Sequence, residues 1–102
     1  SATVIDLRNA EAFGRGHIVG AKNISPDDVD ARIEKLDRTK PVVAVCDSGI
    51  TSGRVVDKLR KAGFESAWGL KGGMNAWTQD GLPVVTGKKT KAKGRKKDNK
   101  KA

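Results

Sequence analysis

The only cysteine, Cys46, stands directly after the apolar run Val42 to Val45 and directly before Asp47-Ser48-Gly49-Ile50-Thr51-Ser52. The run is short enough for a buried strand and too short for an independent helix, and the small residues after it read as a loop. A helix is expected to begin at about Ser52 or Gly53. Strand, cysteine, loop and helix in that order form an anion cradle. Loop amides and the positive end of the helix point at whatever is bonded to the sulfur, and the same field lowers the thiol pKa below its ordinary value of about 8.5. The chemistry this offers is attack by a thiolate. The competing reading is a buried structural cysteine, which is common in protein cores.

The rest of the chain must supply the frame. Its 102 residues suffice for one domain with a modest hydrophobic core. A lone cysteine excludes an internal disulfide and suits a reducing compartment, so a cytoplasmic location is expected. No apolar run approaches the roughly 20 residues that span a bilayer, and no signal-peptide pattern opens the chain. The net charge of +9 is uneven: Gly87 to Ala102 holds nine Lys or Arg and one Asp, which leaves residues 1–86 almost neutral. Two parts follow, a folded domain over 1–86 and a Lys-rich tail over 87–102.

Within the domain, Val4 and Ile5 read as a strand ending at Asp6-Leu7-Arg8, and Asn9 is placed to cap a brief helix through Phe13. Ser25 is placed to cap a second helix, with Pro26 at its first position, Asp27 and Asp28 in its first turn, and Val29, Ile33 and Leu36 on one face. After the Cys46 loop, Val55, Val56, Leu59 and Ala62 recur at helical spacing, and Gly63 is a stop signal. A last strand covers Ser66 to Leu70, and Gly72-Gly73 leads into a short helix with Ala76 and Trp77. Strands alternating with helices predict an α/β domain with a mainly parallel central sheet flanked by helices. In such sheets ligand sites form at the carboxyl ends of strands, where Cys46 falls.

Four blocks, in order, resemble the rhodanese-like domain family. Asp6-Leu7-Arg8 resembles its Asp-x-Arg. Glu11-Ala12-Phe13-Gly14-Arg15-Gly16-His17-Ile18-Val19-Gly20-Ala21-Lys22-Asn23-Ile24 resembles its Glu-x-Phe-x-x-Gly-His-Ile-x-Gly-Ala-x-x-Ile. Cys46 to Ser52 aligns with its active-site loop, and Leu70-Lys71-Gly72-Gly73-Met74-Asn75-Ala76-Trp77 resembles its Leu-x-Gly-Gly-x-x-x-Trp. The resemblance covers residues 3–85 and implies a rhodanese-like fold without the strand and helix that usually come first; some relatives carry a membrane anchor upstream. It implies sulfur transfer: Cys46 takes the outer sulfur of a donor such as thiosulfate or a persulfide, holds it as a persulfide, and passes it to a thiophilic acceptor. No metal or cofactor is implied. Asp47, Ser48, Gly49, Ile50, Thr51 and Ser52 are then the substrate-binding loop, with amides from Ser48 to Ser52 as the cradle and hydroxyls from Thr51 and Ser52. Asp6 and Arg8 are expected to fix that loop by hydrogen bonds and ion pairing.

The loop departs from the family in charge, with Thr51 where an arginine is usual and Asp47 where a basic residue is frequent. A carboxylate beside the thiolate raises its pKa, and a missing guanidinium removes a bidentate partner for an anionic donor. Slow thiosulfate turnover is expected; Arg54, Arg8 and Lys71 are candidate replacements, each with the competing reading of a solvated or salt-bridged surface charge. The family's phosphatases use a longer loop ending in arginine, which disfavours that activity here. The remaining alternative is a binding or scaffold domain with little sulfur chemistry. His17 reads as structural, and Trp68, Trp77, Phe13 and Phe64 as core or edge of core. The tail is expected to be disordered, with Lys88 to Lys101 able to make weak, salt-dependent contacts with nucleic acid or anionic membranes.

Overall fold

The structure is a computed structural model and describes residues 2–87. Its elements are β1 (Thr3–Asp6), α1 (Ala10–Arg15), β2 (Lys22–Asn23), a 3-10 turn (Pro26–Asp28), α2 (Val29–Ile33), β3 (Val42–Val45), α3 (Ile50–Lys61), β4 (Ala67–Gly69) and α4 (Gly73–Gln79). The strands form one parallel sheet in the order β2-β1-β3-β4. The chain leaves β1 toward β2 on one side and β3 toward β4 on the other. The carboxyl ends of β1 and β3 therefore flank the point where a parallel sheet opens a crevice.

Strand alternation sends Val42, Ala44 and Cys46 to one face, where they join Ile5, Ala67 and the α3 residues Val55, Val56 and Leu59 in one buried cluster. Each fully buried aliphatic side chain there contributes roughly 1.5–3 kcal/mol. Val29 and Ile33 of α2 complete that layer. Val45 alternates to the other face and is also fully buried. A sheet covered on both faces explains why β3 is a continuous apolar run rather than an alternating one.

Local capping follows the sequence. Asn9 Oδ1 accepts from the Ala12 amide at 2.8 Å, and Ser25 Oγ accepts from the Asp27 amide at 3.1 Å. Two expectations are corrected and one strand is added. The helix after Ser25 opens as the 3-10 turn and ends at Ile33, so Leu36 packs against the core from a turn rather than from a helical face. The edge strand β2 carries no sequence pattern of its own; it exists because its backbone pairs with β1, Ile5 with Lys22 and Asp6 with Asn23. Trp68 is 52% exposed on β4, because Ala67 takes the α3-facing position and sends its neighbour outward.

His17 is fully buried, stacked on Phe13 at 3.7 Å between ring centres, with Nδ1 2.8 Å from the Phe13 carbonyl oxygen. Its backbone exchanges two 2.8 Å hydrogen bonds with Val85, and the Gly87 amide donates to the Gly14 carbonyl at 2.9 Å. Gly87, counted with the tail in the sequence reading, is thereby fastened to the domain. The expectations for Lys88 to Lys101 concern a segment outside the described residues. Among the described residues, no helix is long and apolar enough to cross a membrane.

Candidate active site

Cys46 follows β3 directly and is buried, 6% exposed, under the first turn of α3. Gly49 makes the turn that carries the chain back over the sulfur. Its φ of 105° is readily held only without a side chain, and its amide donates to Cys46 Sγ at 3.0 Å. The helix starts at once, at Ile50, rather than at the Ser52 or Gly53 expected. Thr51 and Ser52 therefore belong to the first helical turn, whose amides lack partners within the helix.

Ser52 is fully buried. Its amide donates to Sγ at 3.4 Å, its Oγ lies 3.5 Å from Sγ, and the same hydroxyl can donate to the Gly49 carbonyl at 3.1 Å. Burial opposes ionisation of the thiol. The Ser52 hydroxyl and the amides of Ser52, Gly49 and Ser48 outweigh it and hold the thiol below its ordinary range. A nucleophile of lowered pKa in an amide cradle is fitted to attack a sulfur–sulfur bond.

The loop residues divide by position. Gly49 and Ser52 touch the sulfur and Ser48 aids its ionisation. Among the described residues, the amides of Ile50 and Thr51 make no bond to Sγ itself. Asp47 is exposed, so water screens its charge; its structural part is the carbonyl, which accepts from the Asn75 amide at 3.0 Å.

Asp6 and Arg8 make a closed unit. Asp6 is fully buried and receives the Arg8 amide at 3.1 Å, Nε at 3.0 Å and a terminal nitrogen at 2.8 Å. The same terminal nitrogen donates to the Gly16 carbonyl at 2.7 Å. Arg8 is thus committed to the protein's own groups and does not replace the loop arginine as an anion partner. Because Leu7 donates to the Val45 carbonyl at 2.7 Å, this unit is tied to the strand that delivers Cys46.

Two positioning residues carried no assigned role in the sequence reading. Asn23 Nδ2 bridges the carbonyls of Asp6 at 3.0 Å and Arg8 at 2.8 Å, fixing the turn after β1. Gly73, with φ of 59°, lets the start of α4 press against the loop, and the Met74 amide donates to the Cys46 carbonyl at 2.8 Å. The Gly72-Gly73 pair was the available signal for the second.

The family model for the rhodanese-like domain matches residues 1–80. The chain is 38% identical over 90 residues to the uncharacterized protein YibN of Escherichia coli, covering 85% of this chain and 63% of that protein. It therefore spans less than two thirds of that relative. It is 35% identical over 77 residues to the thiosulfate sulfurtransferase GlpE of Shewanella oneidensis, covering 76% of each. Among solved structures, the rhodanese-like domain of an Anabaena protein superimposes with a TM-score of 0.74 at 31% identity, over 83% of this chain and 87% of that one. A rhodanese-related protein from Thermoplasma volcanium gives a TM-score of 0.77 at 28% identity, over 82% and 83%.

Proposed function

The chain belongs to the rhodanese-like domain family, and on that premise we propose that it is a sulfurtransferase carrying sulfane sulfur on Cys46. The observation that carries this reading is the set of donors on one sulfur: the amides of Gly49 and Ser52, with the Ser52 hydroxyl, around a thiol of lowered pKa.

In the first half-reaction the Cys46 thiolate attacks the outer sulfur of a donor. With thiosulfate, a bond forms between Sγ and that sulfur, the donor's own sulfur–sulfur bond breaks, and sulfite leaves with the electron pair. The product is an anionic persulfide on Cys46. Its outer sulfur lies beyond Sγ, where the amides of Ile50 and Thr51 at the start of α3, without partners among the described residues, receive the charge. In the second half-reaction a thiophilic acceptor, such as a thiolate, attacks the outer sulfur and Cys46 leaves as thiolate. The donors that lower its pKa also make it a good leaving group.

Incubation with thiosulfate and, separately, with a persulfide donor, followed by intact mass spectrometry of wild type and Cys46→Ser, tests the reading. A gain of one sulfur that requires Cys46 is the expected result. No gain from either donor would leave a binding domain without sulfur chemistry.

A further inference from the structure

Away from Cys46, three aliphatic side chains stand exposed at one end of the molecule: Val19 at 68%, Leu82 at 43% and Val84 at 38%. Residues 82–85 form a strap that closes on the segment after α1, where His17 and Val85 exchange their backbone hydrogen bonds at 2.8 Å. A β-carbon on Gly16 would lie 3.3 Å from a Val84 methyl group. Val19 follows His17 by two residues, in the turn closed by the Ala21 amide on the Ile18 carbonyl at 3.0 Å, and Leu82 precedes Val85 by three. Chain reach therefore keeps all three within about 11 Å of the His17–Val85 pair. One exposed aliphatic residue is ordinary, but a group of them gains by entering an apolar phase.

The strap leads straight into the most charged stretch of the chain. Gly87, whose amide is fastened to the Gly14 carbonyl, is followed at once by Lys88, and residues 87–102 carry nine Lys or Arg against one Asp. From Lys88 on the chain lies outside the described residues, and its charge is read from its sequence. The charges around the aliphatic group itself nearly cancel: Arg15 pairs with Glu11 at 3.6 Å, and exposed Lys22 is matched by exposed Asp80. The basic run therefore selects an anionic partner, while the aliphatic group selects one with an apolar phase behind its charge. A nucleic acid meets only the first condition, and the run holds no aromatic residue to stack on bases. A bilayer with anionic headgroups meets both.

We infer that this end of the domain is a peripheral docking surface for an anionic lipid membrane. Val19, Leu82 and Val84 enter the headgroup boundary, and the basic run neutralises headgroup charge. Neither signal alone gives stable attachment, and together they do. The surface is separate from the sulfur site, since none of its residues donates to Cys46 Sγ.

Co-sedimentation of the full chain with vesicles of phosphatidylcholine, alone or with one quarter phosphatidylglycerol, tests the assignment. At about 0.1 M salt the anionic vesicles should bind the protein at least about tenfold more strongly than the neutral ones. Lys96→Gln, Lys97→Gln, Lys100→Gln and Lys101→Gln combined should weaken that binding about tenfold. Val19→Ser with Leu82→Ser should weaken it about fivefold, while binding to a DNA duplex in the same salt stays as in wild type. Val84 is left in place because it packs against Gly16, and an unchanged melting temperature shows that each variant is folded. Equal binding to both kinds of vesicle, or vesicle binding unchanged in Val19→Ser with Leu82→Ser, overturns the assignment. Capture by the duplex without capture by anionic vesicles overturns it as well, and makes the basic run a nucleic-acid contact.

Discussion

Cys46 Sγ and Ser52 Oγ lie 3.5 Å apart in the protein interior, and the same serine oxygen is 3.1 Å from the Gly49 carbonyl. One hydroxyl thereby serves both protonation states of the sulfur. With the thiol, S–H donates to Oγ while the serine proton points to Gly49. With the thiolate, the hydroxyl turns its proton to the sulfur, a rotation that moves no heavy atom.

Ser52→Ala should therefore raise the Cys46 pKa and slow sulfur loading at neutral pH. The folded pKa is lowered in wild type, so thiolate is present in a window reaching below the usual value near 8.5. Removing the hydroxyl closes that window from its acid end. The pH profile of Cys46 alkylation by iodoacetamide reads this directly, and a midpoint unmoved in the variant would show that the amides alone set the pKa.

Gly73→Ala should damage both stability and sulfur loading. A methyl group there runs into the backbone oxygens of Cys46 and Asp47, on a residue already in the left-handed region with φ of 59°. Backbone atoms cannot swing aside, and a cost of about 2–4 kcal/mol is expected. Gly81→Ala has φ of 73° with no atom within 4 Å of the added carbon, and it should cost only about 1–2 kcal/mol. Urea midpoints that fall equally in both variants would mean that close approach at Gly73 adds nothing.

Arg8→Ala leaves the buried Asp6 carboxylate without its guanidinium and should cost about 3–5 kcal/mol. The double variant Asp6→Asn with Arg8→Ala should recover part of that loss, since no unpaired charge remains. Chemical denaturation of the single and double variants checks the coupling. Simple additivity would contradict the closed unit.

Asp47→Arg should speed thiosulfate loading by about fivefold at low ionic strength, by replacing an exposed negative charge at the mouth with a positive one. The gain should fade toward 1 M salt, where screening acts within about 3 Å. A rate that does not respond in 10 mM salt would show that charge at the mouth does not limit the donor step.

What the sequence alone determined is local. Val42 to Val45 specify a buried strand by composition, Cys46 ends it, Asn9 and Ser25 cap the turns they precede, and Val55, Val56 and Leu59 mark the buried face of α3. These follow from periodicity and from hydrogen bonds within a few residues. The order of the four blocks likewise carried the family. Tertiary structure decided the rest. Lys22 and Asn23 became a strand only because β1 offered an unpaired edge, Arg8 was withdrawn from anion binding by Asp6 and the distant Gly16, and Gly73 became a support of the cysteine loop by meeting it across the fold. The start of α3 at Ile50 came from the positive φ of Gly49, and that shift selected which amides reach the sulfur. Each outcome depends on groups brought together from separate stretches of chain, and hydrophobic period or capping pattern within one stretch cannot encode which partner arrives.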